Sequence, residues 1–143
     1  MLKTEVILER LDALDEYLDF LRGYQGLSYG EFRQDRTIRL AVERALHLSI
    51  QCIIDIASHI LAATSHRRPA DYGEAILLLA EEGVIPPAYA GKIVGMAQFR
   101  NILVHNYIDI DPQRVYQNWQ EHLEDFHLFS QYINEYLQRA GLV

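Results

Sequence analysis

IRLAVERALHLSIQCIIDIASHIL, residues 38–61, repeats apolar side chains in steps of three and four. Ile38, Val42, Leu46, Ile50, Ile53, Ala57, Ile60 and Leu61 therefore form one wide face of a helix. The pattern predicts a helix over about 31–64; at ~1.5 Å per residue it would be roughly 50 Å long. On the other side Arg44, His47, Gln51, Asp55 and Ser58 follow the same steps and stack into a polar stripe. That stripe has two readings, a solvated face or a face turned towards a subunit interface or an active-site cleft.

Upstream, Ile7, Leu11, Leu14, Leu18 and Leu21 mark an amphipathic helix over about 2–24, and Gly23, Gly26 and Gly30 then break the pattern. Downstream, His66-Arg67-Arg68-Pro69-Ala70-Asp71 reads as a loop ending in a helix N-cap, followed by a short helix to about Glu82 and Gly83. Pro87 suits the first turn of a fourth helix, which the periodicity carries to Tyr107. Asp111-Pro112 opens a last helix through Val115, Trp119, Leu123, Phe126, Ile133 and Leu137 to about Arg139. Strand-like alternation of useful length is absent from the sequence. The expected fold is all-α, an up-and-down four-helix bundle with one additional short helix.

The 143 residues suit a single domain spanning residues 1–143, and a half-hydrophobic composition with four prolines excludes a disordered chain. A formal net charge of −7 argues against a broadly basic, non-specific nucleic-acid surface. Any RNA site must therefore be locally basic, for instance by pooling arginines across subunits. The one cysteine, Cys52, sits in an apolar run and reads as a small buried hydrophobe, so no intrachain disulfide forms. Residues 1–5 carry no signal-type apolar block, and Asp55 interrupts the longest uncharged run before the ~20 residues a bilayer requires. The expectation is a soluble, cytoplasmic protein without a membrane span.

Chemistry concentrates in Arg100-Asn101-Ile102-Leu103-Val104-His105-Asn106-Tyr107. Along one continuous helix, Asn101 and His105 share a face, Arg100 and Tyr107 share a neighbouring one, and both stripes line one cleft. RNA cleavage without a metal needs a base for the 2′-hydroxyl, an acid for the departing 5′-oxygen and donors for the crowded phosphorane. Histidine, with an ordinary pKa of ~6.5, serves either proton-transfer role. Arginine offers a planar fork of donors to phosphate oxygens. Asn101 adds a neutral hydrogen bond to the phosphate or orients His105. From the residues alone, an arginine and a histidine at the end of a surface helix remain an open alternative. Glu43, Gln51 and Asp55 are candidates to support the motif from the long helix. His47, His59, His66, His122 and His127 lack metal-ligand spacing, and no glycine-rich phosphate loop occurs, so neither metal nor cofactor is expected.

Arg100-Asn101-x-x-x-His105 in the penultimate helix of a small helical chain resembles the R-x4-6-H motif of the HEPN ribonuclease superfamily. Its continuation to Tyr107, R-x4-H-x-Y, resembles the HepT toxin family of HepT/MntA toxin-antitoxin systems. The helix order and the Asp-Pro start of the last helix extend the likeness over most of the chain. The resemblance implies a metal-independent endoribonuclease toxin, homodimeric, with two copies of the motif facing each other across an RNA-binding cleft. Arg100, Asn101 and His105 would be catalytic. An MntA-type nucleotidyltransferase antitoxin would neutralise the toxin by AMPylation of Tyr107. The alternative within the same fold is a non-catalytic HEPN nucleotide- or substrate-binding module partnering a nucleotidyltransferase; a purely structural bundle is a third reading.

Overall fold

The computed structural model describes residues 2–65 and 67–143; Met1 and His66, the latter assigned above to a loop without a metal role, lie outside the described residues. Every regular element among those described is helical: α1 (Thr4–Gly23), α2 (Tyr29–Gln34), α3 (Arg36–Thr64), α4 (Tyr72–Glu81), α5 (Pro87–Ile93), α6 (Gly95–His105), a 3-10 turn (Tyr107–Asp109), α7 (Pro112–Glu121) and α8 (Leu123–Arg139). Four helical columns result, α1, α3, α5 with α6, and α7 with α8, and α4 is the additional short helix.

Helix α3 is the central member and packs against α1, α4, α6, α7 and α8. Its apolar face, with Val42, Leu46, Ile50, Ile53, Ala57 and Ile60, is buried in one contiguous core. By length and apolarity alone α3 would reach across a bilayer, but its apolar side chains pack into that core. The α1 stripe Ile7, Leu11, Leu14, Leu18 and Leu21 is buried without exception.

The loop after α1 is tied down by α7. Trp119 is fully buried, and its indole Nε1 donates to the Leu21 carbonyl at 2.7 Å, satisfying a helix-end acceptor. Tyr116 donates to the Leu27 carbonyl at 2.8 Å, and Gln25 to the Trp119 carbonyl at 3.1 Å. Phe32 of α2 completes this aromatic cluster against Tyr116 and Trp119.

Three helices expected as continuous are broken, each for a local reason. Ser28 and Glu31 form a reciprocal capping box that starts α2, and the Asp35 carboxylate accepts from the Ile38 N–H at 3.1 Å to start α3 afresh. Between α5 and α6 the chain stays in the right-handed helical region at Val94, where Gly91 and Gly95 weaken the helix on either side. At His122 the last column changes direction. There the imidazole turns to Asp125, 3.1 Å from its carboxylate, and Lys92 reaches the same carboxylate at 3.1 Å. A fourth difference bears on the motif. α6 ends at His105, with Asn106 at φ −114°, ψ 36° and its N–H on the Ile102 carbonyl, so Tyr107 opens the 3-10 turn instead of extending the helix.

Candidate active site

Helix α6 lies against α3 with Leu103 and Phe99 buried beneath it, which brings Arg100 over the polar stripe of α3. The guanidinium is held on three sides. Its Nε donates to Gln51 Oε1 at 3.0 Å, and its Nη1 donates to Asn101 Oδ1 at 3.1 Å. The face of the Tyr72 ring at the start of α4 lies 5.3 Å from its central carbon.

Gln51 is the hinge of the electrostatics. While its Oε1 accepts from Arg100, its Nε2 donates to Asp55 Oδ1 at 2.8 Å, and Asp55 Oδ2 is paired with Arg10 of α1 at 3.3 Å. A neutral amide thus stands between the arginine and the nearest carboxylate of the stripe, whose charge Arg10 takes up. Arg100 is oriented without an ion pair among the described residues. Its Nη2 and the second Nη1 hydrogen stay open to an incoming anion.

His105, the last residue of α6, and Asn101, one turn earlier on the same face, are both exposed. Among the described residues no hydrogen bond ties down the His105 imidazole, which leaves both ring nitrogens open to substrate. Asn101 and His105 accordingly share one exposed face of α6, and half-buried Arg100 lies about 100° around the helix from Asn101. Tyr107 does not sit on their helix, contrary to the expectation from seven-residue spacing, because α6 has already ended. It projects from the 3-10 turn, 68% exposed, beside Glu43, Arg44 and His47 of α3.

The supporting candidates divide accordingly. Gln51 and Asp55 belong to the chain of contacts that orients Arg100, whereas Glu43 makes no hydrogen bond or ion pair to it and lies near Tyr107. Burial pushes the Glu43 carboxyl above its ordinary value, an effect partly offset by Arg39. His47 is pushed the other way, first by burial and then by the charges of Arg44 and Arg100. Arg10 and Tyr72 were not foreseen. Arg10 carried no signal beyond a polar position on α1, and Tyr72 none beyond its place after the Asp71 N-cap. Among the described residues no group of three or more His, Cys, Asp or Glu side chains is placed to share a metal ion.

A helical bundle that presents an unneutralised arginine and, five residues further along the same helix, an open imidazole is the architecture of a HEPN-type protein. The chain belongs to the family described as Ribonuclease HepT-like, which matches residues 8–133. It is 34% identical over 133 residues to the tRNA nuclease HepT of Aphanizomenon flos-aquae, covering 92% of this chain and 90% of that protein. To the mRNA nuclease HepT of Shewanella oneidensis it is 32% identical over 126 residues, 88% of this chain and 94% of the other. Among solved structures, the tri-AMPylated Shewanella oneidensis HEPN toxin in complex with its MNT antitoxin superimposes with a TM-score of 0.81 at 27% identity, covering 91% of this chain and 97% of that one. The resemblance to the HepT family and the all-helical expectation are both borne out.

Proposed function

We propose that this chain, acting as one HEPN-like domain, is the toxin of a prokaryotic toxin-antitoxin system and a metal-independent endoribonuclease. The observation that carries this reading is the clamp on Arg100: positioned by Gln51, Asn101 and Tyr72, and left with its charge uncompensated. Preorganised donors of that kind are often the largest single contribution to catalysis of a reaction that builds up charge.

In the proposed reaction a base removes the proton of an RNA 2′-hydroxyl. O2′ attacks phosphorus, and the P–O5′ bond breaks as an acid protonates O5′, leaving a 2′,3′-cyclic phosphate and a 5′-hydroxyl. Arg100 binds the phosphate and the charge that develops on it. His105 transfers a proton, with the symmetry-related His105 of a homodimer or a water completing the pair. Asn101 serves by holding the Arg100 fork. Two copies in a homodimer concentrate positive charge on one phosphate path, which a chain of net charge −7 needs. RNA is the substrate, and the protein works in the cytoplasm.

Control falls to Tyr107, the exposed phenol next to the site. An MntA-type nucleotidyltransferase would AMPylate it: Tyr107 Oη attacks the α-phosphorus of ATP, pyrophosphate leaves, and the phenolic proton passes to a base on the transferase. The tri-AMPylated relative supports this reading.

Purified protein should degrade tRNA or mRNA in the presence of EDTA. His105→Ala should abolish cleavage while leaving the thermal melt unchanged. Full activity in that variant overturns the assignment, and activity that requires an added divalent ion overturns the metal-independent mechanism. Binding of RNA without turnover by the wild type would point instead to the non-catalytic module.

A further inference from the structure

Between the N-terminal half of α3 and the end of α6 runs a groove of about 370 Å³, within the ~300–1,000 Å³ range of small-molecule sites. Its polar wall is Glu43, Arg44 and His47, and Tyr107 forms its rim. Leu40, Val104 and Ile110 supply an apolar surface, of which Leu40 is 51% exposed.

Arg44 Nη1 lies 3.2 Å from His47 Nδ1. A guanidinium only donates, so Nδ1 must be the acceptor and the ring proton must sit on Nε2. Burial, then the charges of Arg44 and Arg100, lower the proton affinity of His47 and so favour that neutral form. The remaining guanidinium N–H groups of Arg44 are left for an anion, and the imidazole Nε2–H, on the far side of the ring from Arg44, is a separate donor along the groove. Arg44 forms no ion pair among the described residues. These are the requirements of a phosphate.

Glu43 and Leu40 follow towards the N-terminus of α3. From His47 to Leu40 the helix rises about 10 Å, comparable with the length of a nucleoside monophosphate. A carboxylate at Glu43 repels a second phosphate but accepts hydrogen bonds from ribose hydroxyls, which fixes the order of the groups along the groove.

We infer that this groove is a binding site for one nucleoside monophosphate unit, its phosphate on the free N–H groups of Arg44 at the His47 end, its ribose at Glu43 and its base on Leu40, Val104 and Ile110. Two sources present that chemistry. One is the adenylate carried on Tyr107, whose phosphorus would begin at the groove's own rim; the other is a nucleotide of the RNA substrate next to the scissile bond. The inference deepens the proposed function and rests on it only for its consequences, since occupancy by a nucleotide is directly measurable.

The test is a titration of the unmodified protein with 5′-AMP, followed by backbone amide NMR, with adenosine and inorganic phosphate as separate probes. AMP should shift the amides of Leu40, His47, Val104 and Ile110, and Arg44→Ala should weaken its binding roughly tenfold or more, the loss of a charge-assisted hydrogen bond. Leu40→Ser, at an exposed position, should weaken adenosine and AMP alike and leave phosphate binding unchanged. Shifts confined to other surfaces, or AMP affinity untouched by both substitutions, overturn the inference.

Two arms then separate the sources. An RNA nucleotide in the groove predicts that Arg44→Ala raises KM for RNA more than it lowers kcat. An adenylate on Tyr107, confirmed by intact mass after treatment with the transferase and ATP, predicts that modification blocks free AMP from the groove. Either result supports the site, and failure of both overturns it. Cleavage that survives His105→Ala would instead refute the catalytic reading while leaving the AMP titration intact.

Discussion

Replacing Gln51 by glutamate tests the idea that Arg100 is held by a neutral partner so that its charge stays available. The two side chains are nearly isosteric, but glutamate places a carboxylate where Oε1 accepts from Arg100 Nε at 3.0 Å, and removes the N–H that donates to Asp55 at 2.8 Å. Two unit charges 4 Å apart attract by about 4 kcal/mol at the effective dielectric near a protein surface. Arg100 and Gln51 are only half buried, so solvent reduces the competition with phosphate to ~1.5–3 kcal/mol. At 1.36 kcal/mol per factor of ten, kcat/KM should fall roughly 10- to 150-fold. Gln51→Ala leaves the charge free and removes one orienting hydrogen bond, a loss of ~1 kcal/mol, or about fivefold. The expected order is therefore wild type, then alanine, then glutamate. Initial rates on end-labelled RNA in EDTA at low ionic strength, with thermal melts of each variant, measure it. If Gln51→Glu is as active as Gln51→Ala, or if the activities simply follow the melting temperatures, neutrality at position 51 has no catalytic meaning.

The Glu43 carboxyl has its pKa raised by burial, so the fold favours its protonated form. That contribution to stability is fully present below the unfolded value of 4.5 and is lost as pH rises through the folded value. Glu43→Gln should therefore gain in urea midpoint relative to wild type between pH 4 and pH 7; a constant difference across that window refutes the assignment. Cys52, buried and with its thiol pushed up to about 11 by burial and then by Asp55, should resist iodoacetamide at pH 8 in the native state and react at once in guanidinium. Trp119→Ala removes a fully buried indole and orphans the Leu21 carbonyl, so it should cost ~3–5 kcal/mol and lower Tm by about 10 °C or more in a calorimetric scan.

Periodicity revealed the fold because the apolar stripes of α1 and α3 contain few errors, and it missed the breaks because the breaks preserve the stripes. Trp119, Leu123 and Phe126 keep one buried face across His122, and Val94 keeps helical dihedrals between α5 and α6. A hydrophobic pattern cannot register an interruption that leaves its phase intact. The start of α3 was legible by another rule: Ser28-x-x-Glu31 and Asp35 are capping signals, passed over when the helix was begun at about residue 31. Tyr107 was misplaced on its neighbours' helix for the converse reason. Its spacing from Arg100 fits two turns, but Asn106 leaves the helical region before the second is complete.

The candidate site was legible only as far as one helix reaches. Arg100, Asn101 and His105 lie on a single element, so spacing alone placed them together. What orients Arg100 comes from α3 and α4 and, through Asp55, from α1, and no spacing rule connects those segments. Net charge was the weaker guide for a related reason. Twenty acidic residues against thirteen basic ones describe the average field of the chain, whereas binding a phosphate depends on which arginine is left without a carboxylate. That depends on pairing in three dimensions: Asp55 is taken up by Arg10, and the amide of Gln51 carries the geometry across without carrying the charge. Deleting Arg10 should therefore act at a distance. With Arg10→Ala the Asp55 carboxylate loses its partner, its field falls on Arg100 through Gln51, and RNA affinity should drop even though Arg10 touches neither Arg100 nor His105.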